Sequence, residues 1–403
     1  MKEQKLSIYR WVNLLIYMYI AALTQLYWLN FAAIETYMEK SLKISAMNLS
    51  LLTLVFPLLY IFLSIPAGII IDKKGFKFGV GIGVLFTGIA PLLRLIFPNS
   101  FSMLLLSQIV ISIGQPFILN GITKLSVTWF PKDEEATAVG LGSLALFIGM
   151  IVSLGLTPYI VNSYSYLSML KVYSLLGVIG VVLYFTLIKS RPDFAVRDEE
   201  YNESELYFEG IKNLFKIRDF VILGFIAMIG IGVFNGFATW LEKMLNEMHG
   251  ISMINAGKVS TMLIFGGIVG SIIIPLVSDK VSRRKPFLII ASIMGMIDLF
   301  LLIILDSLYL NMINGFVMGF FVISALPIIL IASAEIAGDK YAGISVAYLQ
   351  LLGNAAAVGI VPFMQLLREK TGNYSSSIIL LMILMVLFLF FSFIIKETSS
   401  INS

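Results

Sequence analysis

The sequence contains no cysteine and a single histidine, His249. Without thiols there can be no disulfide framework, thiolate metal site or cysteine nucleophile. With one imidazole there can be no multi-histidine metal centre. Charge is scarce as well: Asp, Glu, Lys and Arg make up 13% of the 403 residues, about half the roughly 25% of a soluble domain. Apolar residues fill the space instead, at 59% of the chain with a mean hydropathy of +0.94. A globule of this length cannot hide so much apolar surface in its own core, so lipid must be the solvent for most of it. The net charge of +4 is small and its basic residues stand in short clusters. On so hydrophobic a chain, such clusters read as membrane-orientation signals and not as a nucleic-acid footprint. No nucleophile–base pair, metal set or cofactor motif is present, so neither an enzyme nor a bound cofactor is expected. The opening MKEQKLSIYRW runs into an apolar stretch with no small-residue cleavage site, and the first helix is expected to stay in the mature protein.

About 20 apolar residues cross a bilayer as a helix. Polar clusters, Gly, Pro and charges punctuate the chain into twelve such spans: 11–37, 47–71, 78–97, 102–127, 137–160, 167–189, 219–245, 255–278, 286–305, 308–333, 341–366 and 374–395. The fold class is therefore an all-α polytopic membrane protein. One long polar stretch, 190–218, separates a first six-helix bundle (1–189) from a second (219–403). With the N-terminus inside, 20 of the 28 Lys and Arg, among them Lys2, Lys5, Lys77, Arg197, Arg284 and Lys340, fall on the cytoplasmic segments. Both termini and the central linker are thus predicted to be cytoplasmic. The outer side keeps Lys40, Arg94, Lys243 and Arg368 among its few basic residues, and His249 reads as an exposed loop residue.

The two halves share landmarks at one offset. Asp72 and Asp279 stand 207 residues apart, and each carries a basic residue five positions on, Lys77 and Arg284. Ile44-Ser45 and Ile251-Ser252 repeat the same offset, as do Trp28 and Asn235. A shared offset argues for duplicated halves, the plan of many secondary transporters. The first copy, Gly68 to Lys77, resembles the major facilitator loop motif G-x-x-x-D-[RK]-x-G-[RK]-[RK], with Phe76 in place of one basic residue. A carboxylate at a helix end can pair with basic side chains when one side of such a transporter closes. Asp72, Lys77, Asp279, Arg284 and Glu335 are accordingly candidate gating residues. The alternative is that the basic residues only enforce topology.

A narrower resemblance rests on Tyr27-Trp28-Leu29-Asn30-Phe31, Gly114-Gln115-Pro116-Phe117 with Trp129-Phe130, Val233-Phe234-Asn235-Gly236-Phe237, Leu326-Pro327 and Ala334-Glu335-Ile336. These segments resemble the feline leukaemia virus subgroup C receptor-related family, whose members carry choline and ethanolamine. The resemblance implies a major facilitator fold and a mid-membrane site for a small cation. By motif, Trp28 matches the family's first-helix tryptophan and Gln115 its fourth-helix glutamine. The seventh-helix aromatic falls on Asn235, and the eleventh-helix glutamine near Asn354.

The residues can be weighed on their own chemistry too. An indole face attracts a desolvated cation by about 2 kcal/mol or more, so Trp28 is a candidate cation-binding ring. Gln115, Asn235 and Asn354, with Asn30 and Gln350, are amides within apolar spans. Each must face protein or a water-filled cavity, and hydrogen bonding between helices is the alternative to lining a substrate site. Asp298 lies in the middle of span nine and Glu35 near the outer end of span one. The expected activity is alternating-access movement of a small organic solute, best a cationic amine, through one cavity shared by the halves. A proton-coupled carrier of an anionic or amphiphilic metabolite is the runner-up. The expected partners are the substrate and the bilayer, with no nucleic acid, and a monomer is expected.

Overall fold

The computed structural model describes residues 7–192, 207–338 and 341–397, and twelve of its helices are long and apolar enough to cross a membrane. An unpaired backbone amide in hydrocarbon costs several kcal/mol, and a helix pairs every amide within its own segment. The spans run Tyr9–Leu29, Ala46–Lys74, Phe76–Ile96, Phe101–Trp129, Lys132–Ser163, Tyr166–Leu187, Arg218–His249, Met253–Val281, Lys285–Ile304, Leu308–Ala337, Ala342–Thr371 and Ser375–Ile394. All twelve predicted spans are present. Of the predicted linker, 193–206 lie outside the described residues, as do Lys2, Lys5, Arg197 and Lys340, while Tyr207–Leu214 forms a short helix.

Span one ends sooner than its apolar run suggests. Its helix stops at Leu29, and the chain passes through a 3-10 turn, Ala32–Ile34, into a separate helix, Glu35–Leu42. Spans five and ten each carry one wide π turn, Val152–Leu156 and Gly319–Ile323. Such insertions bend a helix locally.

By internal contacts the chain forms two compact units. One comprises Met1–Asn30, Leu59–Ser153 and Ile160–Asn202, and the other comprises Phe31–Leu58, Leu154–Tyr159 and Glu203–Ser403. In the first, Tyr17 and Tyr27 are buried and donate their hydroxyls to the carbonyls of Ile118 and Tyr173, at 3.0 and 2.7 Å. In the second, spans eight and ten meet backbone to backbone. A Cβ on Gly266 would strike the Phe316 carbonyl, one on Gly270 the Phe320 carbonyl, and one on Gly319 the Leu263 carbonyl. Between helices in lipid, such small-residue faces let dispersion act at close range.

The 207-residue offset recurs in the backbone itself. Lys43 and Gly250 both end helices in the left-handed region, at φ 55° and 63°. Gly75 and Ser282, the same distance apart in sequence, also have positive φ, 85° and 52°.

Candidate functional site

Trp28 occupies the last turn of span one and is 7% exposed. Asn30 caps that helix, its backbone N–H donating to the Leu26 carbonyl. Its side-chain amide is fully buried, and neither polar atom has a hydrogen-bond partner among the described residues. An orphaned amide at such a depth must meet water or a ligand to avoid a cost of about 1–3 kcal/mol. Gln115 sits within span four, immediately before Pro116. That proline donates no hydrogen bond to the preceding turn, which loosens the helix beside the glutamine. Spans one and four are tied close to these residues, where the Gln108 amide donates to the Tyr27 carbonyl at 3.1 Å. One unit thus carries an indole, an orphaned amide and a second amide on two joined helices.

In the second unit, Asn235 is 6% exposed and donates one N–H to the Ile231 carbonyl, four residues back on its own helix, at 2.8 Å. Asn354 does the same to the Gln350 carbonyl at 2.8 Å, with both side chains half-buried. Each keeps its amide oxygen available as an acceptor. Asn120 of span four instead bridges within its unit, donating to the Ser64 carbonyl at 2.8 Å.

The gating candidates divide sharply. Arg284 reaches three groups at once: Nη1 meets Asp279, Nη2 lies 2.8 Å from Glu335 Oε1, and Nη1 also donates to Ser278 Oγ at 2.9 Å. Burial alone would lower this guanidinium, but its bonds to Glu335 and Asp279 more than reverse that and hold it above the ordinary arginine value. Asp279, Arg284 and Glu335 therefore form one network. Asp72 and Lys77 do not form its counterpart. Asp72 is exposed and makes no ion pair among the described residues, and Lys77 donates to the Ile188 carbonyl at the end of span six.

A sequence model, described as Major Facilitator Superfamily, matches residues 15–362. The chain belongs to the Major Facilitator Superfamily. It is an integral, multi-pass membrane transporter of small molecules and not an enzyme. An uncharacterized MFS-type transporter of Caenorhabditis elegans is 26% identical over 398 residues, covering 94% of this chain and 68% of that one. The human choline/ethanolamine transporter FLVCR2 is 24% identical, covering 89% and 71%. Among solved structures, a bacterial homologue of the human lysosomal transporter Spinster, crystallised inward-facing and unoccupied, has a TM-score of 0.79 at 16% identity, covering 98% of both chains. That likeness bears on the fold.

Three sites in this facilitator go beyond or differ from their sequence reading. Arg94, whose burial the sequence does not signal, is 1% exposed inside the first unit, where Nε donates to Ser107 Oγ at 2.9 Å and Nη2 to Gln108 Oε1 at 2.6 Å. It lies over the Tyr27 ring at 5.6 Å. His249 is the last residue of span seven, not an exposed loop residue. Its imidazole is 2% exposed, with Nδ1 2.8 Å from Asp306 Oδ1 and Nε2 2.7 Å from the Leu302 carbonyl. Glu35 lies beyond span one and is 2% exposed. Reading from sequence missed Gln25, buried one turn before Trp28, and the buried pair Glu242-Lys243 in span seven. A charged pair inside the apolar run Trp240–Leu245 was the available signal for the latter.

Proposed function

We propose that this transporter moves a small cationic amine of the choline or ethanolamine class by alternating access, and that Trp28 and Gln115 bind it. The observation that carries the reading is a buried Trp28 indole with an orphaned Asn30 amide two residues further along the chain. A ring face and neutral amides suit a desolvated cation, because they offer attraction without a fixed counter-charge. The similarity to human FLVCR2, a choline/ethanolamine transporter, supports the same substrate class. Asn30, Asn235, Asn354 and Gln350 contribute acceptor oxygens along the substrate path. Asp72, Lys77, Asp279, Arg284 and Glu335 act at the ends of the spans when access changes. The reading includes two six-helix halves, 1–189 and 219–403, joined by 190–218, with both termini cytoplasmic and the chain acting as a monomer.

Uptake of radiolabelled choline and ethanolamine into proteoliposomes tests this. Wild type should give saturable uptake, and Trp28→Ala should lower it at least roughly tenfold, the loss of about 1.4 kcal/mol or more of cation binding. Gln115→Ala should raise KM more than it lowers the maximal rate, as loss of a ground-state contact does. No uptake above empty liposomes would remove the amine assignment.

A further inference from the structure

Glu35 and Glu242 are separated by 207 residues, the offset that relates the two halves. Both are buried, at 2% and 4% exposure, and they come together in the second compact unit. The contact is reciprocal. Thr36, the residue after Glu35, donates its backbone N–H and its hydroxyl to Glu242 Oε2 at 3.1 and 3.0 Å. Lys243, the residue after Glu242, places Nζ 3.7 Å from Glu35 Oε1. Each repeat thus offers its partner the side chain that follows its own glutamate, as an isologous interface does around a two-fold axis.

Charge does not balance across this contact. From their own elements and from those packed against them, the pair is faced by Glu39, Lys40, Lys243, Glu247 and Tyr374. Lys243 is the one buried ammonium in the contact, and it lies closer to Glu39, at 3.0 Å, than to Glu35. Glu247 is held by the Arg368 fork at 2.8 and 3.0 Å. Neither Glu35 Oε1 nor Glu242 Oε1, both buried, accepts a hydrogen bond among the described residues. Two ionised carboxylates buried together with a shared, divided ammonium are costly, and a single proton removes the conflict. No group of three or more Asp, Glu or His among the described residues is placed to hold a metal ion.

We propose that Glu35 and Glu242 form a proton-binding pair that holds one shared proton while this contact is closed and releases it when the contact parts. The proposal rests on the alternating-access reading above but not on the identity of the substrate. Because the closed form binds the extra proton, acid favours closure and rising pH favours separation.

The chain has no native cysteine, so spin labels can be placed at Ser41→Cys and Lys370→Cys, both exposed, in the full-length protein without substrate. Distance distributions between pH 5.5 and 8.5 then report the closed and parted populations. One linked proton changes their ratio by up to about tenfold per pH unit, and a change of at least roughly tenfold across the range is expected. Glu35→Gln and Glu242→Gln, which mimic the protonated side chain, should each stay closed with less than about a twofold change. Glu369→Gln, a carboxylate on span eleven that bonds Gln365, should respond like wild type. A pH-independent wild type, or a response that survives in both glutamine variants, would overturn the proposal. So would an equal shift produced by sodium at constant pH. The wild-type titration decides the matter even if one variant fails to fold. Failed amine uptake with an intact pH response would sink the substrate assignment alone.

Discussion

The two copies of the loop motif share a positive φ at one equivalent residue, Gly75 and Ser282, and differ in chemistry. In the first, Lys77 serves the end of span six, donating to the Ile188 carbonyl. In the second, the residue at the equivalent place is Arg284, which binds Asp279 and Glu335. The end of span twelve still receives its cation, because Lys285 donates to the carbonyls of Phe393 and Ile395 at 2.6 and 3.0 Å. Ile188 and Ile395 are themselves 207 residues apart. One lysine moved by one position therefore releases an arginine for a different task. A planar fork can hold two carboxylates where an ammonium acts as a point charge. The lesson is that a duplicated motif keeps its structural duty, here neutralising a helix C-terminus, before it keeps any ion pair.

This contrast can be broken most severely at Arg284. Arg284→Ala strips the cation from two carboxylates and should cost about 2–3 kcal/mol, read as a lowered midpoint of thermal unfolding in detergent. Asp72→Asn, the first copy's counterpart of Asp279, should change stability by less than about 0.5 kcal/mol, since the side chain is exposed. Equal losses at the two sites would show that Asp72 has a partner in the working protein. Smaller effects sharpen the comparison. Ser282 holds φ 52°, where the first copy uses Gly75. Ser282→Gly should therefore raise stability by about 1 kcal/mol in the same assay, while Gly75→Ser should lower it. Smallest of all, Lys77→Met and Lys285→Met should each cost about 0.5 kcal/mol, because both neutralise a helix end at the surface. A loss confined to Lys77→Met would mean that the second helix end is served by another group.

Sequence disclosed the fold more fully than the site. Twelve apolar runs of membrane length could only be helices, and their count survives in the structure. The end of span one at Leu29 is less legible, because Phe31 to Ile34, just beyond it, are as apolar as the residues before. Asp279, Arg284 and Glu335 were each identifiable as ionisable groups at span ends. Their union depends on how spans eight and ten pack, which no local pattern encodes. His249 read as a surface residue because span boundaries blur by a few residues, and a few residues decide between lipid edge and core. The Glu35–Glu242 relation was within reach. The 207-residue offset between Asp72 and Asp279 connects them directly.

The seam between spans eight and ten has a mechanical meaning. At Gly266, Gly270 and Gly319 there is no side-chain layer between the two backbones. Soft contacts shear because flexible side chains can trade rotamers as helices slide, and here nothing is available to trade. Sliding would drive carbonyl into backbone, so the two spans must tilt together as one stiff plate. Any bending that accompanies a change of access has to occur at the edges of that plate.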